Sequence, residues 1–150
     1  MESCRTLLPW ICSSHLKDGA LCFDRDGGAR WYGVLLGDGS CRVRETVAML
    51  RGHHPGIQLN VEDLWDTFSV PLGRPDFLPG RYRASRNGLA EVVRWLHHGE
   101  GLRAEGRIPG REDLESDRRW EIVRERFPKN LERAKEIVND MARAAPEAGA

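Results

Sequence analysis

The stretch of this sequence whose residue types and spacing could do chemistry is Trp31-Tyr32-Gly33-Val34-Leu35-Leu36-Gly37-Asp38-Gly39-Ser40. Wound as a helix, it places Gly33 and Gly37 on one face, four residues apart, where a second copy could approach closely. Gly33 and Gly37 would then form a dimer interface. An acid at the C-terminal end of each helix would meet its twin near the dimer axis, and that helix end is already electronegative. Paired Asp38 carboxylates, helped by the Gly37 carbonyl, would hold Mg²⁺ and suit metal-assisted phosphodiester hydrolysis, with Asp38 as the catalytic acid residue. Local propensity offers an alternative. Gly33 is poor in a helix, Trp31, Tyr32 and Val34 favour strands, and Asp38-Gly39 would turn a hairpin. Residues 29–37 thus stay open between helix and strand.

The same residues resemble the motif of the LAGLIDADG homing endonuclease family. Its nine positions map onto Trp31 to Gly39, with Gly33, Asp38 and Gly39 at the matching glycine, acid and final glycine. The resemblance implies a short single-motif member that acts as a homodimer on double-stranded DNA. It implies an α+β fold of α-β-β-α-β-β-α type: a mixed, saddle-like antiparallel sheet with helices on one face, and C-terminal helices beyond it. The sheet's polar face would sit in the major groove. The family often keeps a Lys near the scissile phosphate. This chain has Lys only at 17, 129 and 135, so an Arg would have to substitute.

Expected strands suit that use. Cys41 to Thr46 would show Arg42 and Arg44 on one face, Ile57 to Val61 would show Gln58 and Asn60, and Arg81 to Ser85 would show Arg81 and Arg83. Arg matches guanine edges, and Asn or Gln matches adenine edges. Arg86 would contact phosphate. For each residue alone, an ordinary solvated sheet face is the competing reading.

Around these lie the positioning elements. Leu7 to Leu16 reads as a short helix with Pro9 in its first turn. Asp24 to Gly28 reads as a turn, Gly52 to Gly56 as a loop, and Glu62 to Phe68 as a helix. Asn87 to His97 reads as a helix ended by Gly99. Asp113 to Arg126 and Asn130 to Arg143 read as two helices separated by Pro128. Trp65, Trp95 and Trp120 are expected in the core. This gives an N-terminal extension (1–28), an α/β core (29–105), a C-terminal helical pair (106–145) and a disordered tail (146–150).

The chain has 150 residues, 40% of them hydrophobic, which suits a single core. Net charge is zero, so the whole chain carries no electrostatic footprint for nucleic acid. Residues 74–111 are locally basic, entirely through Arg. Cys4, Cys12, Cys22 and Cys41, with His15, match no zinc-ligand spacing, so free thiols are expected rather than zinc. A metal role is not expected for His53-His54 or His97-His98. No apolar run has membrane-spanning length and Pro9 interrupts the N-terminal one, so a cytoplasmic protein without a membrane partner is expected. Nucleic acid is not the only partner the basic stretch would suit. A small interaction protein that binds a protein or RNA is the competing class, and a hairpin at residues 29–45 favours it. A non-catalytic DNA-binding relative is the third reading.

Overall fold

The structure is a computed structural model that describes residues 2–25, 27–63, 68–72, 74 and 86–144. Its class is α+β, as the sequence implied, but the elements are differently placed. Helix α1 (Glu2–Leu7) runs into a 3-10 turn at Leu8–Trp10, followed by strands β1 (Ser13–Leu16), β2 (Asp18–Phe23) and β3 (Ala29–Val34). Then come α2 (Val43–His53), β4 (Gln58–Val61) and β5 (Phe68–Val70). Helices α3 (Arg86–Ala104), α4 (Arg111–Glu115) and α5 (Arg118–Ala144) complete the described chain. No helix among the described residues is long and apolar enough to cross a membrane.

The strands form two small sheets: β1 with β4 in parallel, and β2-β3-β5 in antiparallel order. Residues 29–34 are therefore a central strand, not a helix. Trp31, Tyr32 and Val34 prefer a pleated surface, and β3 has a neighbour on both sides, with Gly33 opposite Gly19 and Trp31 opposite Leu21 and Phe68. The Asp24 to Gly28 turn closes the β2–β3 hairpin, with Asp24 N–H donating to the Gly28 carbonyl at 3.0 Å. Residues 13–23, read as part of an extension, supply two of the five strands. The expected Leu7 to Leu16 helix gives way to the 3-10 turn and β1.

The antiparallel sheet buries both faces. Ala20, Cys22, Tyr32 and Val34 pack with Leu102 and Ile108 on one side. Leu21 and Ala29 pack with Leu96 on the other, joined by Trp31, Val70 and Val92. Helix α3 reaches both faces because it runs along the outer edge of β2. Glu100 accepts the Phe23 N–H at 2.8 Å, and Arg103 donates to the Phe23 carbonyl at 3.1 Å. An open edge would invite pairing with another chain; here a helix occupies it. Gly99 makes that approach possible, since a Cβ there would strike the Leu21 carbonyl. It is a packing glycine inside α3, not the helix end that its residue type suggested.

A second core joins Leu16, Leu36, Val43, Val47 and Ile137. Val43, Val47 and Leu50 recur at helical spacing and are buried. That burial explains why the expected strand at Cys41 to Thr46 is instead the start of α2. Helix α5 continues through Pro128. Proline removes one intrahelical bond, but anchors stand on either side. Arg126 donates to the Gly33 carbonyl at 2.8 Å and pairs with Asp63, while the Asn130 side-chain oxygen accepts the Leu36 N–H at 2.9 Å. The expected helix at Glu62 to Phe68 ends in strand β5 at Phe68, and its Leu64 and Trp65 lie outside the described residues, as does the expected strand Arg81 to Ser85. Trp95 and Trp120 are 39% and 56% exposed, so neither is core.

Two glycines two residues apart on α3 separate packing from propensity. Nothing stands near a Cβ on Gly101, so Gly101→Ala should gain up to about 1 kcal/mol of helix propensity. Gly99→Ala gains the same propensity but must push a backbone carbonyl aside, for a net loss of about 1–3 kcal/mol. Urea denaturation of both variants should give midpoints that move in opposite directions; a rise in both would refute the close approach.

Candidate functional site

The glycine-rich segment after β3 is a loop built around one carboxylate. Asp18 opens β2 and its residue is 3% exposed. Its Oδ1 accepts the N–H groups of Gly19 and Cys41 at 2.8 and 3.0 Å. Its Oδ2 accepts those of Gly37 and Gly39 at 2.9 and 3.0 Å. Four amide dipoles thus replace the water that a buried carboxylate loses. Gly37 adopts φ +87°, which favours glycine. At Gly39 a Cβ would collide with the Asp18 carboxylate and the Gly19 carbonyl. The loop geometry thus demands both glycines, and neither lies on a helix.

The residues expected to carry chemistry are dispersed. Asp38 sits in this loop, with its carboxylate paired to the Arg107 guanidinium and its side chain 16% exposed. Its carbonyl accepts the His98 Nε2–H at 2.7 Å. Asp38 therefore does not end a helix, and a cation already engages it. Gly37 donates to Asp18, and Gly33 is buried in β3, so the glycine-notched dimer helix does not form. Arg42 and Arg44 flank the start of α2, not a strand; Arg44 pairs with Asp140 at 2.9 Å. Gln58 and Asn60 do share β4, where the Gln58 amide donates to Asn60 at 3.2 Å. Arg86 opens α3, and Arg81 and Arg83 lie outside the described residues. His53 and His54 stand edge to face at 4.6 Å. Among the described residues no three His, Cys, Asp or Glu side chains converge on a metal position.

The structure brings a different set together. Two clefts meet at Ser40 and Trp95. One is an apolar chamber of about 520 Å³ between the β2-β3-β5 sheet and α3, lined chiefly by Leu21, Trp31, Phe68, Val70, Val92 and Trp95. Trp31 and Phe68 stack in it at 5.4 Å. The other, of about 410 Å³, is a polar mouth lined by Arg42, Glu91, Arg94 and His98 at the start of α2. Ser40 lines both, while its hydroxyl oxygen has no exposed surface and, among the described residues, is the buried side-chain polar atom without a hydrogen-bond partner.

Sequence reasoning did not single out Asp18 or Arg94, and it expected Trp95 in the core. One signal was available. Asp18 is an acid between Leu16 and Ala20-Leu21-Cys22, and an acid entering an apolar strand needs donors nearby. The Gly-x-Gly run after β3 supplies two of those four donors.

Two predictions follow from the buried charges. Asp18→Asn puts an NH₂ against amide donors and should cost about 2–4 kcal/mol in urea denaturation at neutral pH; an unchanged midpoint would refute the grip. Asp24 is held below its ordinary value of 3.8 by the Arg25 N–H and then by the Arg30 side chain, which it pairs with at 2.8 Å. A depressed carboxylate pKa contributes stability above the ordinary value and loses it as the pH falls through the native one. Asp24→Asn should therefore lower stability at pH 7 and flatten the fall in stability below about pH 4. Denaturation curves from pH 7 to 2 read both effects, and parallel curves for the two proteins would contradict them.

No protein-family model, curated protein or solved structure matches this chain. The motif that carries most of the family resemblance, residues 31–40, forms the end of strand β3 and the Asp18-centred loop, where the family motif is a helix.

Proposed function

We propose that this chain is a binding module that takes a small apolar or aromatic ligand into the chamber between the three-stranded sheet and α3. One observation carries the reading: an apolar chamber of about 520 Å³ is walled by the rings of Trp31, Phe68 and Trp95. Volumes of this order suit small-molecule ligands, and an apolar lining with few polar groups is their usual setting. The walls are rigidly backed. Trp31 lies on a central strand, and Ser40 is fixed by its N–H donating to the Gly19 carbonyl at 2.8 Å. Phe68 is 54% exposed and Trp95 39%, so apolar surface stands ready to be covered.

The reading differs from the protein- or RNA-binding class considered from the sequence, since β3 leads into a loop and α2 and no hairpin spans residues 29–45. It assigns no catalysis. The nuclease mechanism needed two crossed helices ending in free carboxylates; β3 and the Asp38–Arg107 pair provide neither. All four cysteines are free, which supports the cytoplasm as the compartment.

The test is a fluorescence titration with the neutral apolar probe N-phenyl-1-naphthylamine. Saturable one-to-one binding is expected, with energy transfer from tryptophan. Val92→Phe, which fills the chamber, should weaken it about tenfold or more while circular dichroism stays unchanged. Cys41→Phe, placed at the chamber wall, should do the same. Binding that never saturates, or that ignores both folded variants, would overturn the proposal.

A further inference from the structure

The outer edge of β2 is occupied, and that of β1 is not. On β2, Glu100 and Arg103 of α3 take the backbone groups of Phe23. On β1 the direction of each backbone group follows from the register with β4, which is parallel and sets Ser13 against Gln58 and Leu16 against Val61. The Leu16 carbonyl accepts the Glu62 N–H at 2.9 Å. Leu16, and Ser14 two residues before it, therefore turn their backbone groups toward β4. Ser13 and His15 turn theirs to the opposite edge. There, among the described residues, their N–H and C=O groups meet no hydrogen-bond partner, and both residues are exposed. The far edge of the same sheet is covered better: Leu59 and Val61 are partly buried against the core that joins α2 and α5.

A row of free donors and acceptors at strand spacing is a template for another strand. The devices that repel one are missing from β1, which holds no Pro, Lys or acid. Lys17 follows the strand, but its ammonium is drawn to the Glu62 carboxylate at 3.3 Å, on the β4 side. His15 Nδ1 lies 3.2 Å from the same carboxylate. Both side chains thus lean away from the open edge.

We propose that the occupant is a second copy of this chain, paired antiparallel through β1 about a twofold axis at Ser14. The edge is complementary to itself. With Ser14 on the axis, Ser13 of each copy faces the partner's His15, and the two residues exchange N–H and C=O groups. No like charges meet, because each His15 stands across from a serine. Ser14 meets the partner's Ser14 in the close, non-hydrogen-bonded position, which small hydroxyl side chains suit. The register is pinned at both ends. The Ile11 N–H is taken by the Leu8 carbonyl at 3.3 Å, and the Gly19 carbonyl by the Ser40 N–H at 2.8 Å. Apolar cover is at hand: Trp10 is 83% exposed and Leu7 54%, just before the edge. In this register each Trp10 comes level with the partner's Asp18, so an aromatic ring flanks each end of the paired strands. The ligand chamber is separate, since none of residues 13–15 lines it.

So short a pairing buries less than a standard interface, and association in the micromolar range follows. Sedimentation velocity should show a monomer at about 1 µM chain and a dimer at about 300 µM. Ser13→Pro and His15→Pro each delete an N–H that points away from β4, so the β1–β4 ladder and the circular dichroism spectrum survive. Each should raise the dimer dissociation constant about tenfold or more. His15→Thr keeps the N–H and should keep the dimer. In the parent protein, hydrogen exchange across residues 12–16 should slow as the concentration rises, a reading that needs no variant. A monomer at about 300 µM, or a dimer that persists in both folded proline variants, would overturn the proposal. Should both prolines unfold the chain, the exchange reading decides: rates across residues 12–16 that ignore concentration would overturn it equally.

Discussion

A carboxylate without water needs donors, and Asp18 obtains four from backbone alone. The rest of the structure is arranged around that requirement. Gly19 belongs to β2, Gly37 and Gly39 to the loop after β3, and Cys41 to the approach to α2. One side chain thus ties the first strand of the antiparallel sheet to the loop that leaves its second strand. It fixes where α2 begins, and it places Ser40 and Arg42 at the edge of the cleft. The desolvation cost of a bare carboxylate would be several kcal/mol, so the loop and the charge are only stable together.

Polar keys recur wherever elements meet. Arg126 and Asn130 on α5 fix that helix to β3 and the following residue run through the Gly33 carbonyl and the Leu36 N–H. Glu100 and Arg103 on α3 occupy the outer edge of β2. In each case a long or charged side chain takes up a backbone group that the small sheets leave over. With three and two strands among the described residues, the sheets have mostly edges. The helices compensate by supplying both apolar cover and hydrogen bonds. The chamber is what this arrangement leaves beside β5, where α3 moves from covering the edge of β2 to bounding a cleft.

Some of this was legible in the sequence. A helix over residues 87–97, the turn at Asp24 to Gly28 and a strand over residues 58–61 follow from local pattern, and the structure contains all three, although Leu89 and Val93 on that helix are exposed. The loop after β3 was not legible, because Gly33, Gly37 and Asp38 have the spacing of a helix face and of a strand end alike. The contest was decided outside the segment, by Asp18 nineteen residues before Gly37. Pro128 and Gly99 fail as boundary signals for the same reason: tertiary anchors at Arg126, Asn130 and Leu21 outweigh the local cost. The arginines at 42 and 44 alternate like a strand face, but the burial of Val43 and Val47 sets the helix. Trp95 and Trp120 show the limit of residue type, since their size suggests core while their surroundings leave them at the surface.

Amide hydrogen exchange followed by NMR tests the central claim most directly. If Asp18 grips the loop, the amides of Gly37, Gly39 and Cys41 exchange slowly at neutral pH, and all three become fast in Asp18→Asn. Backbone shifts across residues 29–34 are those of a strand in the parent protein. Rapid exchange at these three amides in the parent, or helical shifts across residues 31–37, would contradict the account.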